Sequence, residues 1–153
     1  MPDSDTIYHN IYTHPEAVED LMTHFVTEDW VRDLDFAQMQ NITSKLHSHN
    51  MLRREGDLIY RIPMRSGAAL YLVLLLEFQS KPDPWMPLRF MAYSALIYQK
   101  IVKQDPAHEK QKTLPPIFSM VLYNGTHDWR YSLSLRDLIA LPPEHPLWAY
   151  QPD

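Results

Sequence analysis

The sequence contains no cysteine, few glycines and no long apolar run. Because cysteine is absent, disulfides, thiolate metal ligands and cysteine nucleophiles are excluded. Three glycines in 153 residues leave no glycine-rich loop to cradle a phosphate, which argues against an enzyme of small phosphorylated substrates. The chain has no secretory signal and no run of about 18 apolar residues. We therefore expect a cytoplasmic protein that does not span a membrane.

The chain also has no excess of basic over acidic residues. The formal net charge is −5, which does not by itself indicate a nucleic-acid-binding protein. Acidic residues crowd the N-terminal part, whereas arginines and lysines recur around the central segment, between Arg53 and Lys103. The distribution is therefore compatible with a local basic face on an acidic chain.

What is present is the composition of one globular domain. The chain is 45% hydrophobic and 22% charged, and its length fits a single domain spanning residues 1–153. Thirteen prolines favour stiff loops and argue against long uninterrupted helices.

The apolar periodicity predicts a mixed α/β order. It indicates a helix near residues 15–26, a short strand at 34–39, and a hairpin that pairs 57–64 with 69–79. A long helix at 88–104, a strand before Asn124 and a short helix near 134–141 follow. The hairpin turn holds Gly67, where a positive φ is expected. We predict an α/β or α+β domain with a mixed central β-sheet flanked by helices, in which the long helix crosses over between two strands.

Two acidic residues stand out at one end of the predicted hairpin. Glu77 follows the apolar run LYLVLLL, and Asp57 begins the partner strand. With the turn centred near Gly67, Asp57 lies directly opposite Glu77, and both project from one face with Arg61, Gln79 and, further on, Lys81. Like charges that face each other repel, so the pair calls for a cation between them. Two carboxylates with open positions for water suit Mg²⁺; the alternative is a turn aspartate and a strand end that meets solvent.

Four segments carry a resemblance to a known family. They are RREGDLIYRIP, LYLVLLLEFQS, MPLRFMAY, and PPIFSMVLYNG with Trp129 just after it. In this order the chain resembles the recombination-promoting nuclease/putative transposase family, within the PD-(D/E)XK nuclease superfamily, over roughly residues 7–150. The resemblance implies a restriction-endonuclease-like core, with a four-stranded mixed sheet and the catalytic acids on an antiparallel hairpin. It also implies that the chain is the N-terminal part of a longer protein.

The resemblance assigns roles to individual residues. Asp57 takes the place of the first catalytic acid, Glu77 that of the second, and Gln79 that of the usual lysine, for which Lys81 is a candidate substitute. A Mg²⁺ or Mn²⁺ ion would be held by Asp57, Glu77 and the main-chain carbonyl of Phe78. The implied function is metal-dependent hydrolysis of phosphodiester bonds in DNA, linked to recombination or transposition.

Other residues are candidates for supporting roles. Glu16 or Glu19 would add a helix-borne acid, unless both are simply solvated. Arg61 would meet a DNA phosphate or pair with Asp57. Arg89 shares a helix face with Tyr93, and the two either line a DNA groove or leave Tyr93 in the core with its hydroxyl at the rim.

The competing function is a non-catalytic one. A degenerate module would keep the fold and serve as a DNA-binding or interaction accessory in transposition. The sequence leaves open whether the chain forms a homo-oligomer.

Overall fold

The computed structural model describes residues 4–46, 57–77 and 81–152. Along the chain it contains α1 (Ser4–Ile11), α2 (Pro15–Phe25), β1 (Gln40–Asn41), β2 (Leu58–Pro63), β3 (Ala69–Glu77), α3 (Met86–Gln104), α4 (Pro106–Gln111) and β4 (Ile117–Tyr123). Single turns of 3₁₀ helix lie at Asp29–Asp33, Phe36–Gln38, Thr43–Leu46, Leu135–Leu138 and Pro146–Tyr150. Among the residues described, no helix has both the length and the apolar character needed to cross a membrane.

The strands form one mixed sheet in the order β1-β2-β3-β4. β2 pairs antiparallel with β1 and β3, whereas β3 pairs parallel with β4. A parallel pair of neighbouring strands needs a crossover connection, which α3 and α4 supply here. β3 is buried along almost its whole length, as its apolar residues on both faces predict for a central strand. The predicted α/β class, with a mixed sheet flanked by helices, is confirmed and is consistent with a restriction-endonuclease-like fold.

A helix covers each face of the sheet. On one face, Val18, Leu21 and Met22 of α2 pack against alternate residues of β2 and β3. On the other face, the strand residues in between pack against α3. The buried residues of α3 at this contact are Met86, Tyr93, Ile97 and Ile101. Because strand side chains alternate, this division fixes which residues of the hairpin face α3.

The hairpin register differs from the predicted one by two residues. Gly67 adopts φ +116°, as expected for the turn. Leu58 pairs with Leu74 rather than with Leu76, so Asp57 is level with Leu75 and not directly opposite Glu77. The turn is centred one residue earlier than predicted, because Pro63 pairs with Ala69. An even shift keeps every side chain on its predicted face.

Three other expectations need correction. Residues 34–39 do not form a strand: Leu34 makes a single bridge to Met64, a 3₁₀ turn follows, and the short strand β1 comes only at Gln40–Asn41. α1 was not predicted. The short helix expected near residues 134–141 is a 3₁₀ turn at Leu135–Leu138.

The N-terminal segment is tied to the hairpin by a buried tyrosine. The hydroxyl of Tyr60 on β2 donates a hydrogen bond to the main-chain carbonyl of Tyr12, just after α1. Burial raises the pKa of Tyr60, so the hydroxyl stays protonated and keeps donating.

Candidate active site

Asp57 and Glu77 lie at the open end of the hairpin and face α3. Asp57 immediately precedes β2, and Glu77 is the last residue of β3. Ile59 and Leu75 pack against α3. Because strand side chains alternate between the two faces, Asp57 and Glu77, each two residues away, point to the same face. Only 1% of Asp57 and 6% of Glu77 is exposed. A carboxylate buried this deeply must be paired, because leaving its charge unmatched away from water is costly.

Arg89, in the first turn of α3, supplies the positive charge for both acids. Its Nη2 lies 2.9 Å from Asp57 Oδ2 and 3.2 Å from Asp57 Oδ1. Its Nη1 donates to Glu77 Oε1. One guanidinium therefore bridges two carboxylates from two strands, and such charge-assisted hydrogen bonds are about twice as strong as neutral ones.

Two more described side chains belong to the cluster. The hydroxyl of Tyr93, one turn after Arg89, donates to Asp57 Oδ2 at 2.6 Å. Asp83 Oδ2 lies 3.5 Å from Arg89 Nη1. The other carboxylate oxygen of Asp83 accepts from the main-chain N–H of Trp85 at 2.9 Å, which anchors the residue just before α3 begins.

The electrostatics of the cluster favour a charged arginine. Burial acts to lower the pKa of Arg89, but the carboxylates of Asp57 and Glu77 outweigh it, and the pKa is raised above its ordinary value. Asp57, Glu77 and Asp83 bring three formal negative charges to one positive charge. Counted over these four side chains alone, the negative charges exceed the positive one by two.

Asp57 and Glu77 lie on one face of the sheet as predicted, but the cation that contacts both is Arg89, whereas the sequence had suggested Mg²⁺. Within residues 4–46, 57–77 and 81–152, no three His, Asp or Glu side chains are grouped so that they could hold a metal ion by themselves. A metal at this place would thus rely on the two strand carboxylates. Mg²⁺ commonly uses one or two carboxylates and keeps several waters, so this donor set suits it.

The predicted DNA-binding residues lie in three different places. Arg89 contacts the acids rather than solvent. Arg61 lies on β2, half-buried, roughly 13 Å along the strand from Asp57 at the usual rise per residue. Lys81 is exposed and lines a groove of about 530 Å³, which is also lined by residues 126–128, 130 and 131 after β4.

The helix-borne acids lie away from the cluster. Glu16 and Glu19 are exposed on α2, which packs on the sheet face opposite to α3. Gln79 and Phe78 lie outside the described residues, so their predicted roles stay predictions.

The sequence pattern missed Asp83 and misjudged the partner of Arg89. Arg89 and Tyr93 were recognised as sharing a helix face, and the structure turns that face toward the acids. Tyr93 is buried, so of its two predicted settings the structure shows the core one, with the hydroxyl on Asp57. The signal for Asp83 was its position between two prolines immediately before a helix.

The sequence that forms this site is similar to known proteins. A family model described as "Putative transposase, YhgA-like" matches residues 2–150. The chain belongs to this family. This confirms the resemblance of the four sequence segments to the recombination-promoting nuclease/putative transposase family.

Two curated proteins that are similar in sequence to this YhgA-like chain are named as nucleases. Recombination-promoting nuclease RpnD of Escherichia coli O157:H7 is 24% identical over 90% of this chain and 52% of its own length. Recombination-promoting nuclease RpnC of Escherichia coli K12 is 26% identical over 79% of this chain and 38% of its own length. The chain thus spans about half the length, or less, of these two relatives.

A third relative carries a different description. The protein named "Putative inactive recombination-promoting nuclease-like protein YjiP", from Escherichia coli K12, is 23% identical over 61% of this chain and 89% of its own length. No solved structure matches the chain.

Proposed function

We propose that this YhgA-like chain carries the catalytic centre of a metal-dependent DNA endonuclease that acts in recombination or transposition. The observation that supports it is the pair of buried carboxylates, Asp57 and Glu77, brought by two strands to one shared cation. The relatives named recombination-promoting nucleases support the choice of DNA as substrate.

Asp57 and Glu77 would hold Mg²⁺ or Mn²⁺ in this proposal, with the carbonyl of Phe78 as a third ligand. The carboxylate oxygens and the negative charge of these two acids match a hard divalent cation. A bound divalent ion lowers the pKa of a coordinated water and polarises the scissile phosphate.

The chain's own residues would orient the reactants. Gln79 stands two positions after Glu77 and would orient the attacking water by hydrogen bonding, without the positive charge of a lysine. Tyr93 keeps Asp57 in one orientation through its hydroxyl. A fixed carboxylate is what a precise metal position requires.

The groove beside the cluster suits a DNA backbone. β3 and β4 run parallel and end together at Glu77 and Tyr123, and the groove is formed by the segments that follow these two ends. Lys81 and Arg130 contribute two positive charges to it against the one negative charge of Asp128, and Tyr131 contributes an aromatic ring. Positive groups that contact phosphates raise affinity without reading sequence.

A non-catalytic module is the second candidate, and Arg89 favours it. A guanidinium that already satisfies both acids could be a purely structural ion network, and one relative is named as inactive. In that case the fold would be kept for DNA binding or for interaction with a partner protein.

DNA cleavage distinguishes the two candidates. Supercoiled plasmid is incubated with the protein in Mg²⁺ or Mn²⁺ and in EDTA, and nicked and linear products are measured on gels. We expect cleavage only with metal, and a loss of at least about a hundredfold in the Asp57→Asn and Glu77→Gln variants. The exposed Asp20→Asn on α2 is the matched control and should cleave as wild type. Absence of cleavage by the whole protein would favour the non-catalytic module, whereas cleavage that persists in EDTA would contradict the proposed metal dependence.

A further inference from the structure

The guanidinium of Arg89 occupies the space between the two acids. It contacts both Asp57 and Glu77, and its side chain is 12% exposed. Two cations cannot share these carboxylate oxygens at close range without strong repulsion. Any divalent ion that uses the same pair of acids must therefore compete with Arg89.

We propose that Arg89 is a movable internal cation, which holds the acids together without metal and shifts toward Asp83 when a divalent ion binds. The inference rests on the proposed function, because it concerns the same pair of acids. Arg89 is thus a positioning residue that sets how tightly the site takes up metal.

Asp83 provides the second position for the guanidinium. Its Oδ2 is already 3.5 Å from Arg89 Nη1, and its other oxygen is fixed by the N–H of Trp85. Arg89 needs only a side-chain rotation to reach it, since the arginine is a long side chain in the first turn of α3. The Nε of Arg89 is buried without a hydrogen-bond acceptor within the described part of the chain, so its present position leaves one donor unsatisfied.

Electrostatic attraction gives the exchange its driving force. A divalent ion brings positive charge to Asp57 and Glu77 in place of the guanidinium, while Arg89 stays inside the cluster, paired with Asp83. The exchange therefore does not require Arg89 to move out into solvent.

The first test measures the Mg²⁺ affinity of Arg89→Met by isothermal titration. Removing the competitor should lower the dissociation constant about tenfold or more, within the usual range of coupling between two binding events. Arg32→Met is the matched control, because Arg32 forms only an exposed pair with Asp29 at 3.7 Å. Equal affinity in wild type and Arg89→Met overturns the inference and leaves the nuclease proposal standing. Absence of Mg²⁺ binding in both overturns the nuclease proposal as well.

The second test needs no change at Arg89 and covers the case in which Arg89→Met does not fold. Arginine side-chain NMR signals of wild type are followed during a Mg²⁺ titration, with Arg32 as internal reference. The Arg89 signal should shift in step with metal binding, and an unchanged Arg89 signal at saturation overturns the inference. Asp83→Asn retains the oxygen that accepts from Trp85 but loses the charge, so it should weaken Mg²⁺ binding several-fold. Unchanged affinity there excludes Asp83 as the second position.

Discussion

At the scale of single residues, the cluster shows how a buried carboxylate is made tolerable. Asp57 is almost completely inaccessible and accepts hydrogen bonds from a guanidinium and from a phenol. These donors replace the hydrogen bonds to water that burial removes. The acids therefore do not rely on solvent, and the positions of their oxygens are fixed by α3.

The hydroxyl of Tyr93 gives the residue-scale prediction. Tyr93→Phe removes one hydrogen bond to a buried charged group, so we expect the free energy of unfolding to fall by about 2 kcal/mol. Chemical denaturation measured by circular dichroism provides the comparison. Tyr98→Phe, on the same helix but only half-buried, is the control and should change stability little. A Tyr93→Phe variant as stable as wild type would mean that the bond to Asp57 contributes nothing to the fold.

At the scale of elements, α3 shows where sequence patterns reach their limit. The periodicity predicted a helix at residues 88–104, and the structure has one at Met86–Gln104. The signal for this helix was a set of apolar residues at helical spacing, namely Leu88, Met91, Ala92, Ala95, Leu96 and Val102. Leu88, Met91 and Val102 are exposed, whereas Tyr93, Ile97 and Ile101 are buried.

The reason is that α3 carries two apolar stripes. The inward stripe continues through Arg89 and Tyr93, whose polar ends made it look like the solvent face. Those polar ends are used by Asp57 and Glu77, which are distant in sequence. Local periodicity cannot weigh a polar partner that only the tertiary fold supplies.

Alanine substitutions on the two faces of α3 test this orientation. Ile97 is 1% exposed, so Ile97→Ala should cost about 2–5 kcal/mol through lost burial and the cavity it leaves. Val102 is 41% exposed, so Val102→Ala should change stability by no more than about 0.5 kcal/mol. Urea unfolding of both variants gives the comparison, and a larger loss from Val102→Ala would mean that the helix faces the other way.

At the scale of the whole molecule, the central hairpin was predictable and the cation between its acids was not. The apolar run of β3 and the glycine turn indicated the hairpin and placed Asp57 and Glu77 on one face. The exact register depended on where the turn is centred, which sequence alone did not fix. Arg89 offsets the repulsion expected between the acids, and it comes from a helix that begins nine residues after Glu77.

That finding changes one expectation about stability. Repulsion between two facing acids would make the double variant Asp57→Asn, Glu77→Gln at least as stable as wild type without metal. With Arg89 between them, the same variant leaves a buried arginine without its two partners. We therefore expect it to melt below wild type in EDTA, because breaking a buried ion pair is strongly destabilising.

The central claim is that Asp57 and Glu77 together bind a divalent cation, and thermal unfolding with and without Mg²⁺ tests it most directly. A metal that binds only the folded state at a hundred times its dissociation constant adds about 2.7 kcal/mol of stability. Wild type should therefore melt several degrees higher in Mg²⁺ than in EDTA, whereas the double variant, compared with itself, should not respond. Equal responses of wild type and double variant would contradict the metal site and leave Arg89 as the structural partner of both acids.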